Sequence, residues 1–205
     1  MSSMTTNMFA PHIWGCDLGS PAAQVARAAG WSRADILWEG LMEQVNEAWA
    51  RGDRSRAATL LRRAHLVARF VFHRNDLRRA TVDANLGILA KAAGRHGRAK
   101  AHFAKAAKQW DANATASIGA MQIAPRARSS LFHLRMEALH RNTYHDNFRL
   151  RIGRIADEVR GAIAALEEGT KPECRLYARW IGERPTVYDD TRKTMAACLL
   201  IIDSD

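Results

Sequence analysis

NLGILAKAAGRHGRAKAHFAKA, residues 85–106, decides the fold. Its apolar residues recur at three- and four-residue steps on both sides of Gly94, the pattern of two amphipathic helices. Gly94 stops the first, because glycine adopts the left-handed backbone of a helix end without a Cβ clash. The turn that remains is short, so the second helix must return along the first. Gly87 and Ala99 fall at the crossing, where small side chains let the two backbones approach. Phe103 is placed to fill the gap between this pair and the next.

The pattern extends towards the N-terminus. With Gly52 laid on Gly94, the residues Ala57, Leu61 and Ala64 fall on Ala99, Phe103 and Ala106. Gln44 and Val45 stand where Leu86 and Gly87 do, so the earlier copy is degraded. These spacings resemble the tetratricopeptide repeat over about residues 80–113, through Leu86, Gly87, Gly94, Ala99, Phe103 and Ala106. Asp111 replaces the closing proline of the repeat, and Asp83 its early aromatic. The step from Gly52 to Gly94 is 42 residues, against the usual ~34. The excess predicts about two extra turns on the helix ending near Arg79. The resemblance implies an all-α, short stack of antiparallel helix pairs that binds a partner in a groove.

Breakers and caps divide the rest. Residues 1–19 lack periodicity and are expected to form an extended tail, with Phe9, Ile13, Trp14 and Leu18 as packing material. Ser20-Pro21 and Ser32 open helices. Leu37, Leu41, Val45 and Ala48 mark one face of a helix over 34–51. Further helices are expected over 56–73, 79–93, 98–110 and 126–141. A turn at Asn142-Thr143 and a helix over 144–168 would make a third pair. Gly169 and Pro172 end the repeat domain, placed at 20–170. Two short segments, 173–181 and 189–202, belong to a C-terminal part, 171–205, expected to cap the stack. Leu199–Ile202 are apolar all round and are either buried in that cap or form a dimer contact. Only Thr186–Tyr188 hints at strand alternation.

The chain carries 31 Lys and Arg against 21 Asp and Glu, a net +10. Nine Arg and two Asp over 51–79 give +7, and six basic residues without an acid over 91–108 give +6. Both ends are mildly anionic. A cationic midsection attracts acidic proteins, nucleic acid or anionic lipid alike. Three cysteines, Cys16, Cys174 and Cys198, form no CxxC pair, which argues against a disulfide framework or zinc knuckle. The N-terminus lacks a signal-peptide pattern, and the longest apolar run is too short to span a bilayer. A cytoplasmic protein without a membrane association is expected.

No catalytic signature emerges. There is no GxSxG, no Cys–His nucleophile arrangement and no phosphate loop after a strand. Among eight His, His133 and His140 share a helix face, but no metal-ligand spacing accompanies them. The expectation is a non-enzyme without cofactor or metal. Glu39, Glu43 and Glu47 make an acidic stripe at four-residue steps, either a solvated face paired with nearby arginines or a groove lining for a basic partner. By resemblance, Glu43, Asn46, Asn85 and Lys91 lie on the groove side, although Ile88 interrupts a full carboxylate clamp. Trp49 is the preferred aromatic contact. The six Trp are otherwise expected to anchor helices. These features favour a scaffold, adaptor or assembly factor binding a partner protein or peptide. RNA binding through the basic midsection is the alternative.

Overall fold

The computed structural model describes residues 12–123 and 131–201. It is an all-helical stack. A two-residue hairpin, β1 His12–Ile13 and β2 Cys16–Asp17, precedes α1 Pro21–Ala28, α2 Arg33–Ala50, α3 Arg54–Phe70 and α4 Leu77–Ala92. Then follow α5 His96–Gly119, α6 Leu131–Glu168, α7 Leu176–Glu183 and α8 Asp190–Ala197. No helix among the described residues is long and apolar enough to cross a membrane.

Local chemistry sets the boundaries. The Ser20 hydroxyl accepts from Ala23 N at 3.2 Å, with Pro21 at the first helical position. Ser32 and Asp35 cap α2 reciprocally, Ser32 Oγ accepting from Asp35 N at 3.1 Å and Asp35 Oδ2 from Ser32 N at 2.9 Å. The two repeat turns are built alike. Gly52 and Gly94 take φ of 76° and 70°. The next amide in each case reaches back into the helix, Asp53 N to Ala48 O at 2.9 Å and Arg95 N to Ala90 O at 2.8 Å.

The core follows the aligned positions. Ala57, Leu61 and Ala64 are fully buried, as are Ala99, Phe103 and Ala106. Gly87 packs directly under the Phe103 ring, and a Cβ added there would lie 2.6 Å from its Cδ1. The crossing therefore requires glycine for space, with no demand on its backbone angles.

Several elements depart from the sequence-based expectation. Residues 126–141 and 144–168 were expected as a helix pair, but one helix, α6, runs through Asn142 and Thr143. Neither residue is a breaker. Each costs a helix only about 0.7 kcal/mol or less, too little to break it. The excess in the repeat spacing also divides differently, since α3 ends at Phe70 and 71–76 form a connection capped by Asp76. Residues 12–19 fold back, with Cys16 and Leu18 buried and Gln44 Nε2 3.3 Å from Cys16 Sγ. No strand forms at 186–188. Leu199, Leu200 and Ile201 are buried within the chain, 1–2% exposed. Phe9, Pro125, Ile202 and the side chains of His133 and His140 lie outside the described residues.

Gly87→Ala is expected to destabilise by about 1–3 kcal/mol through overpacking, measured by urea unfolding. Gly153→Ala on α6, where an added Cβ meets nothing within 4 Å, should instead stabilise by about 0.5–1 kcal/mol. Pairing Gly87→Ala with Phe103→Leu should restore part of the loss.

Candidate functional site

The inner face of the first helices, α2 and α4, gathers the buried polar side chains Asp35, Glu39, Arg78, Thr81 and Asn85. Asp35, Glu39 and Glu43 recur at four-residue steps, so one face of α2 carries three carboxylates. The C-terminal segment lays its cations on that face. Arg192 grips Glu39 bidentately, Nε to Oε1 at 2.8 Å and Nη2 to Oε2 at 2.9 Å, with both side chains 5–6% exposed. Arg184 Nη1 meets Glu43 Oε1 at 2.5 Å, and Lys193 Nζ approaches Asp35 Oδ2 at 3.6 Å. Asp189 caps α8 by accepting from Arg192 N at 3.0 Å, which fixes the start of the helix that delivers Arg192.

Aromatic faces complete the packing. The Arg192 guanidinium stands 3.8 Å over the Tyr188 ring, and Tyr188 meets Trp31 edge-on at 5.0 Å. Trp180, 2% exposed, donates its indole N–H to Glu43 Oε1 at 3.3 Å. At the end of α4 nearer Asp35, Arg78 Nη1 bonds Asp35 Oδ1 at 2.5 Å, and its guanidinium lies 3.4 Å over Phe72.

Beyond α8 the chain is extended, and α4 holds it by its backbone. Asn85 Nδ2 donates to Leu199 O at 3.0 Å, while its Oδ1 accepts from Ile201 N at 2.9 Å. One amide thus brackets alternate residues as a neighbouring strand would. Thr81, one turn earlier on the same face, donates to Ala197 O. These bonds read no side chain of the segment, so they suit any extended peptide in this register.

The carboxylates respond oppositely to this setting. Burial opposes ionisation of Asp35, but the Arg78 hydrogen bond and charge, with Ser32, hold its pKa below the usual 3.8. Burial raises the pKa of Glu43 and the neighbouring Glu39 adds to the effect, against the pull of Arg184.

The residues nominated from sequence do not form an open contact surface. Glu43 and Asn85 do lie on the inner face, but both engage the chain's own C-terminal segment. Asn46 is buried and donates to Met42 O at 2.9 Å. Trp49 is 6% exposed under the Arg54 guanidinium, 3.5 Å from its centroid. Lys91 is half-buried on α4, and six residues beyond Asn85 it falls about 240° round the helix. Glu47 pairs with Arg51 on the surface at 3.6 Å. The sequence did not reveal Thr81, Arg184 or Arg192, since their partners lie more than 100 residues away. A basic pair in an acidic C-terminal part, facing an acidic stripe near the N-terminus, was the one available sign.

A second concave surface opens between α5 and α6. It encloses about 1190 Å³, with Ala107, Trp110, Ala114 and Ile118 contributed by α5 and Leu150, Gly153 and Gly161 by α6. Asp111, Arg149, Arg154, Asp157 and Arg160 ring it. Among the described residues no group of three or more His, Cys, Asp or Glu is arranged to hold a metal ion.

Arg192→Met leaves the buried Glu39 with only the longer Arg184 contact at 3.5 Å, and should destabilise by up to about 3–5 kcal/mol. Glu39→Leu with Arg192→Met should recover most of that in the same unfolding assay. Asn85→Ala orphans Leu199 C=O and Ile201 N–H, at about 1–3 kcal/mol each. Asp35 has a lowered folded pKa, so its contribution is present above the unfolded value and lost as pH falls below about 3.8. Asp35→Asn should flatten that part of the stability–pH curve. No family model matches the chain, and neither a curated protein nor a solved structure matches it.

Proposed function

We propose that this protein is an interaction scaffold, a tetratricopeptide-like helical stack that binds a partner protein through the groove between α5 and α6. The supporting observation is the open side of α6. In a continuing stack another helix would follow α6 antiparallel and cover it. Here the chain turns at Gly169 and sends α7 to the other side, where Arg179 pairs with Glu158 and Trp180 reaches Glu43. The uncovered side has small residues, Gly153, Gly161 and Ala164, facing Ala107 and Ala114 of α5. Such a surface admits a partner helix at close range, with the exposed Leu150 as an apolar anchor and the charged rim setting its register.

The inner face supports the same architecture in a different role. Its acidic stripe and Asn85 bracket hold the C-terminal segment, so partner binding falls to the second groove. No catalytic chemistry is required by either surface, and the reading is of a non-enzymatic adaptor.

Gly153→Trp tests the assignment, because an added side chain there meets open space. A partner recovered stoichiometrically from native lysate with the unmodified protein should drop at least about tenfold with Gly153→Trp, a loss of about 1.4 kcal/mol of binding or more. Thr59→Trp, on the exposed side of α3, should retain it. Equal recovery with both variants would remove the α5–α6 groove as the docking site.

A further inference from the structure

On the side of α4 opposite Thr81 and Asn85, a small polar pocket of about 220 Å³ opens between α3, α4 and α5. It is lined by His65 and Arg69 of α3, Arg79 and Asp83 of α4, and Lys105 of α5. The volume is several times the ~30 Å³ share of one water in the liquid, enough for a tetrahedral oxyanion.

The charges in this pocket do not balance. Asp83, whose side chain is 3% exposed, is the only carboxylate in its lining. Both its oxygens are taken, with Lys105 Nζ at 2.8 Å from Oδ2 and 3.1 Å from Oδ1, and His102 Nδ1 at 3.5 Å. Arg69 and Arg79 have no carboxylate within ion-pair distance among the described residues. Arg79 donates only weakly to Phe72 O at 3.4 Å, and Arg69 lies 5.6 Å over the exposed Phe70 ring. Two arginines therefore line a pocket whose one carboxylate is already matched by Lys105. Like charges held together this way favour a guest of opposite sign.

We propose that this pocket is a binding site for a phosphate dianion, either free phosphate or the terminal group of a phosphate monoester. Arg69 and Arg79 supply forked N–H donors to its oxygens, and Lys105 supplies a point charge. His65 reports on the occupant. Its pKa is lowered by burial, against the pull of Asp83, and further by the positive charges of Lys105, Arg69 and His102. A dianion beside it reverses the charge contribution and raises that pKa. The site is separate from the α5–α6 groove and does not depend on the scaffold reading.

The test is an NMR titration of the His65 ring in the full chain, assigned with His65→Gln. It is run with inorganic phosphate, O-phosphoserine or dimethyl phosphate at constant ionic strength. Phosphate and phosphoserine should each raise the His65 pKa by about half a unit or more. Dimethyl phosphate, a monoanion, should bind at least about tenfold more weakly. Tighter binding of phosphoserine than phosphate identifies a carried phosphoryl group; equal binding identifies the free ion. Arg69→Gln, at an exposed residue with no ion-pair partner among the described residues, should weaken phosphate binding at least about fivefold, while Arg62→Gln on the same helix should not. No pKa response to either dianion, or an equal response to the diester, would overturn the proposal.

Discussion

Glu39 constrains the whole molecule. A carboxylate this deeply buried is tolerable only with a full complement of donors, and Arg192 supplies a matched fork. The two residues are 153 positions apart. Pairing them closes the chain on itself and brings α8 over α2, α4 and α6. It also delivers the apolar run Leu199–Ile201 to α4, where Asn85 and Thr81 hold its backbone. The C-terminal segment is therefore part of the core of the stack as well as its cover.

This closure divides the surfaces of the protein. The inner face, which helical repeats commonly offer to a ligand, is filled by an extended segment of the same chain. Its acidic stripe meets Arg184, Arg192 and Lys193, and its amide bracket meets the backbone of residues 199–201. What remains open lies elsewhere: the groove beside α6 that no following helix covers, and the basic pocket on the far side of α4. The two differ in chemistry. The groove has small and apolar residues inside a mixed charged rim, which suits a helix. The pocket has surplus cations around one neutralised carboxylate, which suits a compact anion.

Much of the helical architecture was legible in the residues themselves. Gly52 and Gly94 mark both repeat turns, and the spacing of Ala57, Leu61, Ala99 and Phe103 marks the buried seam, because these depend on neighbours within a few residues. The continuity of α6 was not legible. Asn142 and Thr143 are weak local signals, whose small helix cost does not end a helix. The candidate contact residues fared unevenly for a related reason. Glu43 and Asn85 were placed on the inner face by periodicity, but periodicity says nothing of what a face touches. Trp49 could be read as an exposed anchor or a core ring, and the neighbouring Arg54 settles it as buried.

The sequence by itself determined the helical class, the two glycine turns, the small-residue crossing at Gly87 and the charge asymmetry of the midsection. Each is set by local backbone preference or by composition. Only the tertiary structure decided that Glu39 and Glu43 are matched from within, that Asn85 grips the chain's own extended end, and that Arg69 and Arg79 line a pocket with no carboxylate at ion-pair distance from them among the described residues. These are pairings across long stretches of chain. A residue's spacing shows which face it shares, whereas its partner is fixed by how the faces close, through desolvation of charges that must then find one another.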